Sequence, residues 1–412
     1  MRRVLVACYG GAHVAAALPV YRELQDRGLE PIMLALTTAA DVVRQQGIPV
    51  VRFLDHVDIE DPAISRWGAY LGEFHHREGI GISREESTAY LGAGMADLVD
   101  EIGEEAALAR YRESGLNALL PAATLRRILQ AERIDAVIAT DSPRAERAAL
   151  NAAAQLGLPS LCVLTSFPHI GLHYLKRADN GRVMCVLNER IRDQLIAAGR
   201  RPDSVIVTGN PAFDALLGPD AAARRVALRR RDSLASDDWA VLWAEQPEPA
   251  DPSLPARMRE KLAEACAAHG WRLVVRLHPS SQAGATISLP AHVLLSTRQE
   301  TVRDALLKCD AVVTFTSTIG FEALVLDKPV VIAAVSQYSD FVDYREEDGV
   351  RLVHSLEAVE GALLGFFRND DLARQLAGRR EAMPHSGDAA HSIVQCLVRQ
   401  ALSPGSQTTG SA

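Results

Sequence analysis

Short runs of Val, Ile, Leu and Ala recur between amphipathic stretches along nearly the whole chain, and this alternation constrains the fold more than any other feature. Apolar runs too short for helices and lacking polar alternation are strands buried on both faces. Such strands belong to parallel sheets covered by helices. In the first half, Val4–Cys8, Glu30–Leu36, Val50–Phe53, Ala136–Thr140, Ser160–Leu164, Val183–Leu187 and Val205–Thr208 read as strands. His13–Arg27, Asp41–Gln46, Pro121–Ala131, Arg144–Leu156 and Asn188–Ala198 read as the intervening helices, and helical periodicity also returns from Met95. Trp67–Gly94 is polar, Gly-rich and hard to assign. After Gly209-Asn210-Pro211 breaks the pattern, the same alternation restarts. Ala240–Ala244, Leu273–Arg276, Val293–Leu295, Ala311–Phe315 and Pro329–Ala333 are its strands, and Pro255–His269, Thr301–Lys308 and Gly320–Leu326 its helices.

Two such successions in 412 residues imply two domains of about 200 residues each. The expected fold class is α/β, with two Rossmann-like domains facing each other across a cleft. The first domain would span 1–215 and the second 216–402. The polar, small-residue stretch 403–412 reads as a disordered tail. Aromatic residues make up only 5% of the chain, so the core must be mainly aliphatic, as helices packed on parallel strands require.

Several function classes are excluded early. A net charge of −8 is not the footprint of a nucleic-acid binder. The six cysteines form no CxxC pair and mostly sit in apolar runs, so they read as buried reduced thiols rather than disulfides or zinc ligands. The first apolar stretch is broken by Tyr9-Gly10-Gly11-Ala12-His13 and is no signal peptide, and no run approaches the roughly 18 residues of a membrane span. A cytoplasmic protein is expected. The cluster Arg224, Arg225, Arg229, Arg230 and Arg231 reads as a solvated connector, with contact to acidic lipid at the inner membrane face as its alternative use. His75-His76 reads as solvated rather than metal-bound.

Ligands of open α/β sheets lie beyond the carboxyl ends of the strands, so the strand-end loops carry the functional reading. Cys8 leads into Gly10-Gly11 and His13; the glycine pair serves either a tight turn or a ligand's close approach, and His13 opens the next helix. Neither GxxxxGK[ST] nor GxGxxG is present. Thr140 leads into Asp141-Ser142-Pro143-Arg144, a run that can cap a helix but that also places a carboxylate beside His13 if the two strands are neighbours. Arg276-Leu277-His278-Pro279 follows another strand, the proline stiffening the turn that presents Arg276 and His278.

The most specific run is Val312–Leu324, in which a buried strand opens into Thr316-Ser317-Thr318 and then a helix containing Glu322. A helix N-terminus with hydroxyl donors suits a diphosphate without lysines. The Glu322 carboxylate can accept two hydrogen bonds from a ribose diol.

At these residues the chain resembles the GT-B superfamily of glycosyltransferases and UDP-N-acetylglucosamine 2-epimerases. It is most similar in appearance to bacterial transferases of capsule and other surface-polysaccharide assembly. The resemblance rests on Gly10-Gly11-Ala12-His13, Ala136–Leu164, Val205–Asp214, the segment RLHPSS and above all TSTIGFEALVLDKPVV. It implies a donor nucleotide, UDP by first expectation, held by Glu322 at the ribose and by Thr316, Ser317, Thr318, Arg276 and His278 at the phosphates. Gln246, Asn210, Gly10 and Gly11 complete the implied binding set, and His13 with Asp141 forms the expected catalytic pair.

The resemblance further implies that the N-terminal domain (1–215) binds a saccharide or lipid-linked acceptor and the C-terminal domain (216–402) the nucleotide sugar, with no cofactor, no obligatory metal, and a monomer or homodimer. The GTRPE-like segment of the epimerases is missing, and their GD-type acid motif is replaced by Thr140-Asp141-Ser142. These departures set the expectation at a metal-independent glycosyltransferase. A 2-epimerase and a CDP-glycerol-type phosphotransferase are the alternatives.

Overall fold

The computed structural model describes residues 1–10, 12–79, 81–165, 167–278, 289–297, 299–341, 344–346, 349–368 and 387–402. The strands are β1 (Arg3–Cys8), β2 (Glu30–Ala35), β3 (Ala136–Thr140), β4 (Ser160–Val163), β5 (Val183–Val186) and β6 (Val205–Val207), then β7 (Ala240–Ala244), β8 (Arg272–Arg276), β9 (Val293–Ser296), β10 (Ala311–Thr314), β11 (Val330–Ala333) and β12 (Val350–Val353). They form two six-stranded sheets in two compact units.

In the first unit the order is β2-β1-β3-β4-β5-β6, and every pairing is parallel. The chain runs outward in one direction from β1 to β2 and then in the other from β3 to β6, so the switch point lies between β1 and β3. The second sheet, β12-β11-β10-β7-β8-β9, is also wholly parallel, and its switch point lies between β7 and β10. These are the two Rossmann-like units of a GT-B fold.

The strands are buried because their residues are apolar on both faces. The first core gathers Val4, Val6, Ile138, Leu161 and Val163 under helix Ala12–Asp26, and the second gathers Val241, Leu273, Val313 and Val331. Trp243 and Phe315 anchor the second core edge-to-face, with ring centroids 4.9 Å apart.

Three regions depart from the sequence reading. Val50 makes only an isolated bridge to Met33, and Phe53–Asp55 is a turn of 3₁₀ helix in place of a third strand. Pro49 brings no N–H there, and the amides of Phe53 and Leu54 donate instead to the buried Glu86 carboxylate, at 2.8 and 3.1 Å. The unassigned stretch is a pair of packed helices, Pro62–His75 and Arg84–Ile102. Its glycines are contact points rather than loop formers: a Cβ at Gly68 would strike Thr88, and one at Gly92 would strike the backbone of Ile64.

The third departure is the C-terminal boundary. The first unit comprises Met1–Asp214 together with helix Ala389–Leu402, and the second begins at Ala215. The final helix therefore belongs with the first unit and not with a domain spanning 216–402. Ile393, Val394 and Leu397 bury fully in the first core, and the amides of Ala389 and Ala390 donate to Asp214 at 3.2 and 2.9 Å. The 403–412 stretch lies outside the described residues.

The arginine cluster, expected as a solvated connector, is exposed at Arg224, Arg230 and Arg231 but is also tied down by ion pairs. Helix Ala221–Arg231 clamps onto helix Val302–Lys308 and the residues flanking it through Arg224–Asp304 (2.7 Å), Arg225–Asp310 (2.5 Å), Arg229–Asp310 (3.2 Å) and Arg231–Glu300 (2.6 Å). Lys308 completes the cluster, fully buried between Asp232 and Glu300. These pairs engage four of the five arginines, of which Arg225 and Arg229 are the less exposed, while Arg224, Arg230 and Arg231 stay exposed. Among the described residues, no helix is long and apolar enough to cross a membrane.

Candidate functional site

Each unit concentrates its polar strand-end residues at its own switch point. In the first, Tyr9-Gly10 leaves β1 and the Gly10 carbonyl accepts from the His13 amide at 3.0 Å, opening helix Ala12–Asp26. A Cβ at Gly10 would lie 2.8 Å from the hydroxyls of Thr37 and Thr38, so the turn is packed tightly against the loop after β2. Gly11 lies outside the described residues.

Because β1 and β3 are neighbours, His13 and Asp141 meet. His13 Nδ1 is 3.7 Å from Asp141 Oδ1 and 3.5 Å from the hydroxyl of Thr165 at the end of β4. Asp141 is buried and fixed: its Oδ1 accepts from the Thr165 amide (3.0 Å) and hydroxyl (2.7 Å), and its carbonyl accepts from Tyr174 (3.0 Å). With its single hydrogen given to Asp141, the Thr165 oxygen can accept from an Nδ1–H of His13. A proton on Nδ1 is thereby favoured, and Nε2 carries the lone pair that a base needs.

Asn210 belongs to this cluster. Its Oδ1 accepts from the Ala212 amide at 3.0 Å and its Nδ2 approaches the Thr165 carbonyl at 3.5 Å. It lies in the first unit with Gly10 and Gly11, whereas Gln246, Arg276, His278, Thr316, Ser317, Thr318 and Glu322 lie in the second.

Three further groups surround the pair. Glu146 is fully buried and accepts from Thr140 at 3.3 Å; burial pushes its carboxyl up to about 8, so it is mostly protonated at neutral pH. The Arg144 guanidinium lies 5.9 Å from the centre of the Tyr9 ring. Thr165 had no signal in the sequence, since a lone threonine after a strand is unremarkable. Glu146 had one, an acid within an otherwise alanine-rich helix.

In the second unit, Gln246 follows β7 and Thr316 follows β10, on either side of the switch point. The Gln246 Oε1 accepts from the Thr316 amide at 3.0 Å while its Nε2 donates to the Thr316 hydroxyl, so one side chain clamps the hydroxyl loop at both ends of the same residue. Ser317 Oγ accepts from the Ile319 amide at 3.3 Å, and its carbonyl accepts from Tyr344 at 2.6 Å. Thr316, Ser317 and Thr318 remain half-buried.

The helix that follows, Ile319–Val325, has only seven residues. So short a helix carries little dipole, and the hydroxyls and Arg276 must supply much of any phosphate recognition. Arg276 ends β8, with Nη1 donating to Ser296 Oγ at 2.8 Å and to the Glu300 carbonyl at 3.1 Å. Glu322 is partly accessible at its surface yet packed deep among protein atoms. Burial pushes its carboxyl up to about 7, against the opposing pull of Arg276. His278 is exposed, and Pro279 to Ser281 lie outside the described residues.

His75 and His76 have ordinary partners, Tyr111 at 2.6 Å and Ser87 at 2.8 Å.

A family model described as UDP-N-acetylglucosamine 2-epimerase matches residues 180–397, more than half of the chain. The chain belongs to the UDP-N-acetylglucosamine 2-epimerase family. The matched span includes Gln246, Arg276, Thr316 and Glu322. No curated relative matches this epimerase-family chain in sequence.

Solved structures share its fold. A UDP-GlcNAc 2-epimerase from Neisseria meningitidis bound to UDP-GlcNAc aligns over 96% of this chain and 100% of its own, at 16% identity and a TM-score of 0.64. A structure of S. aureus MnaA with UDP aligns over 97% of both chains, at 14% identity and a TM-score of 0.63. CalG4, the calicheamicin glycosyltransferase, aligns over 98% of this chain and 100% of its own, at 15% identity and a TM-score of 0.56. The family thus favours the epimerase alternative over the glycosyltransferase expectation.

Proposed function

We propose that the protein is a sugar-nucleotide 2-epimerase acting on a UDP-activated N-acetylhexosamine, with the second unit as its nucleotide-binding part. The observation that carries this reading is the set Gln246, Arg276, Thr316–Thr318 and Glu322, gathered beyond the strand ends of the second sheet and lying within the span that matches the family. In this reading the Glu322 carboxylate accepts the ribose hydroxyls. The three hydroxyl side chains and the Arg276 guanidinium meet the phosphates, and Gln246 keeps Thr316 in place. The Neisseria and S. aureus structures, which carry UDP-GlcNAc and UDP, support UDP as the nucleotide.

Inverting C2 by proton exchange breaks its C–H bond on one face and makes another on the opposite face. With no carbonyl beside C2, the C–H electron pair forms a C1–C2 double bond as the C1–O bond to UDP breaks, and UDP or water adds back at C1 when C2 is reprotonated. His13 would be the base, its Nε2 taking the proton while Asp141 and Thr165 hold the ring through Nδ1. The new hydrogen would come from a group in exchange with solvent. The test is incubation with UDP-GlcNAc in heavy water without any acceptor, read by NMR and mass spectrometry. The expected product, free or still UDP-linked, has the inverted C2 and one deuterium there. UDP release that requires an added sugar acceptor, with no deuterium at C2, would overturn the reading.

That opposite outcome would support glycosyl transfer, the second reading. It is favoured by the His13–Asp141–Thr165 arrangement, which equally suits removal of a proton from an attacking hydroxyl, and by the absence of a GTRPE-like segment.

A further inference from the structure

The ladder between β1 and β3 runs from Val4 and Ala136 to Ala7 and Ala139 and stops there. Beyond it Cys8 pairs with Ala35 of β2 and Thr140 with Val163 of β4, so the two central strands part at the switch point, where open α/β sheets form their crevice. One side chain spans the gap. Glu146, in the first turn of helix Ala145–Gln155, is fully buried, and its Oε1 accepts from the Thr140 hydroxyl at 3.3 Å. From the other strand end, the backbone N–H of Tyr9 also stabilises the charged form of the carboxyl. Thr140 is bonded directly to Asp141, and Tyr9 to Gly10, whose carbonyl accepts from the His13 amide at 3.0 Å.

Helix capping alone does not account for this acid. A first-turn carboxylate serves a helix start from the surface, whereas burying one costs free energy that a further alanine in this alanine-rich helix would not. Its Oε2 has no hydrogen-bond partner among the described residues, which penalises the charged form.

We propose that Glu146 is a positioning residue for the first-unit pair: it ties the end of β3 to the loop after β1 and so holds His13 within reach of Asp141 and Thr165. It does so as a neutral group, since burial pushes its carboxyl up to about 8. Around it Cys8, Tyr9, Tyr90, Cys162 and Tyr174 stay uncharged, their ionisation pushed up by burial, and Asp141 repels a second negative charge. Arg144, Arg147 and Arg200 are the cations that bear on these groups, and none of them pairs with Glu146 among the described residues. The inference rests on reading His13 and Asp141 as the reacting pair, but its first test needs no reaction.

That test is nitrogen NMR of the full-length protein with isotope-labelled histidine and no substrate. The neutral His13 ring should carry its proton mainly on Nδ1 in the parent and in Glu146→Gln, a neutral isostere that keeps an acceptor for Thr140. In Glu146→Ala that preference should fall at least about threefold. Thr140→Val removes the same bond from its other end and should move the tautomer in the same direction, which covers a Glu146→Ala protein that does not fold. In turnover, Glu146→Ala should lower kcat at least about tenfold with UDP affinity unchanged, and Glu146→Gln should restore it. The parent's kcat should fall above about pH 8 as Glu146 ionises, and the Glu146→Gln profile should lack that fall. A parent ring with no Nδ1 preference would overturn the proposal, as would a preference that survives in both Glu146→Ala and Thr140→Val. So would Glu146→Gln behaving like Glu146→Ala. If the tautomer shifts as expected but no deuterium enters C2, the positioning role stands and the epimerase reading falls.

Discussion

Burial that pushes the Glu322 carboxyl up to about 7 makes its charge change across neutral pH. If the ionised form accepts the ribose hydroxyls, UDP affinity should rise as pH climbs through about 7, and Glu322→Gln should flatten that profile. The same variant should weaken UDP binding at least about tenfold, since a charge-assisted hydrogen bond is worth about 1.5–3 kcal/mol. Parent and variant should bind a 2′,3′-dideoxy analogue alike; a parent that binds the dideoxy and ribo forms equally would refute the ribose contact. At His13 the expectation concerns rate: His13→Ala should lower kcat by about 10²-fold while UDP affinity stays within a few-fold. Asp141→Asn should act in the same direction. Because the two side chains share Thr165, the double variant should lose less than the sum of the single losses in free energy. The juxtaposition of His13 and Asp141 was legible in the sequence because Asp141 directly follows one buried strand and His13 opens the helix after another. Thr165 was not, for its role depends on which strand lies beside β3, and no local pattern records that.

Among the elements, the sequence showed the strands far better than the helices that connect them irregularly. Apolar runs buried on both faces leave a dense local signal, whereas Pro62–His75 and Arg84–Ile102 owe their pairing to glycines that elsewhere mark loops. At Gly92 the absent side chain is what lets the two helices approach, so Gly92→Val should cost about 1–3 kcal/mol as an overpacking substitution, measured by urea denaturation. An unchanged midpoint would show that the helices can separate without penalty. The helix Ala145–Gln155 carries a different strain. Its Glu146 carboxyl, raised by burial from 4.5 to about 8, holds its proton more tightly folded than unfolded. Its contribution is therefore full below about 4.5 and is lost as pH rises to about 8. Glu146→Gln, a neutral isostere, should remove that part of the decline. Between pH 5 and 8 the variant's stability should fall less steeply than the parent's, and identical slopes in the two proteins would sink the assignment.

For the molecule as a whole, the least expected feature is that the chain's last described helix returns to the unit formed by its beginning. A sequence read from one end to the other divides naturally into consecutive halves, and nothing in Ala389–Leu402 announces which core its apolar face will join. The structure answers with Ile393, Val394 and Leu397, all fully buried in the first core, and with Asp214 capping the helix start through two backbone amides. Burying such side chains stabilises by about 1.5–3 kcal/mol each, so ending the chain at residue 385 should cost the first unit several kcal/mol. The second unit loses none of those contacts. A protein truncated there should show a lowered melting transition for the first unit, and a fragment running from Ala215 to His385 should still bind UDP as the full chain does. Truncation that leaves the melting curve unchanged would mean that the helix adds nothing to the core it occupies. If the full chain binds UDP but the fragment folds without binding it, residues of the first unit must take part in holding the nucleotide, and the assignment of the binding set to the second unit alone would fall.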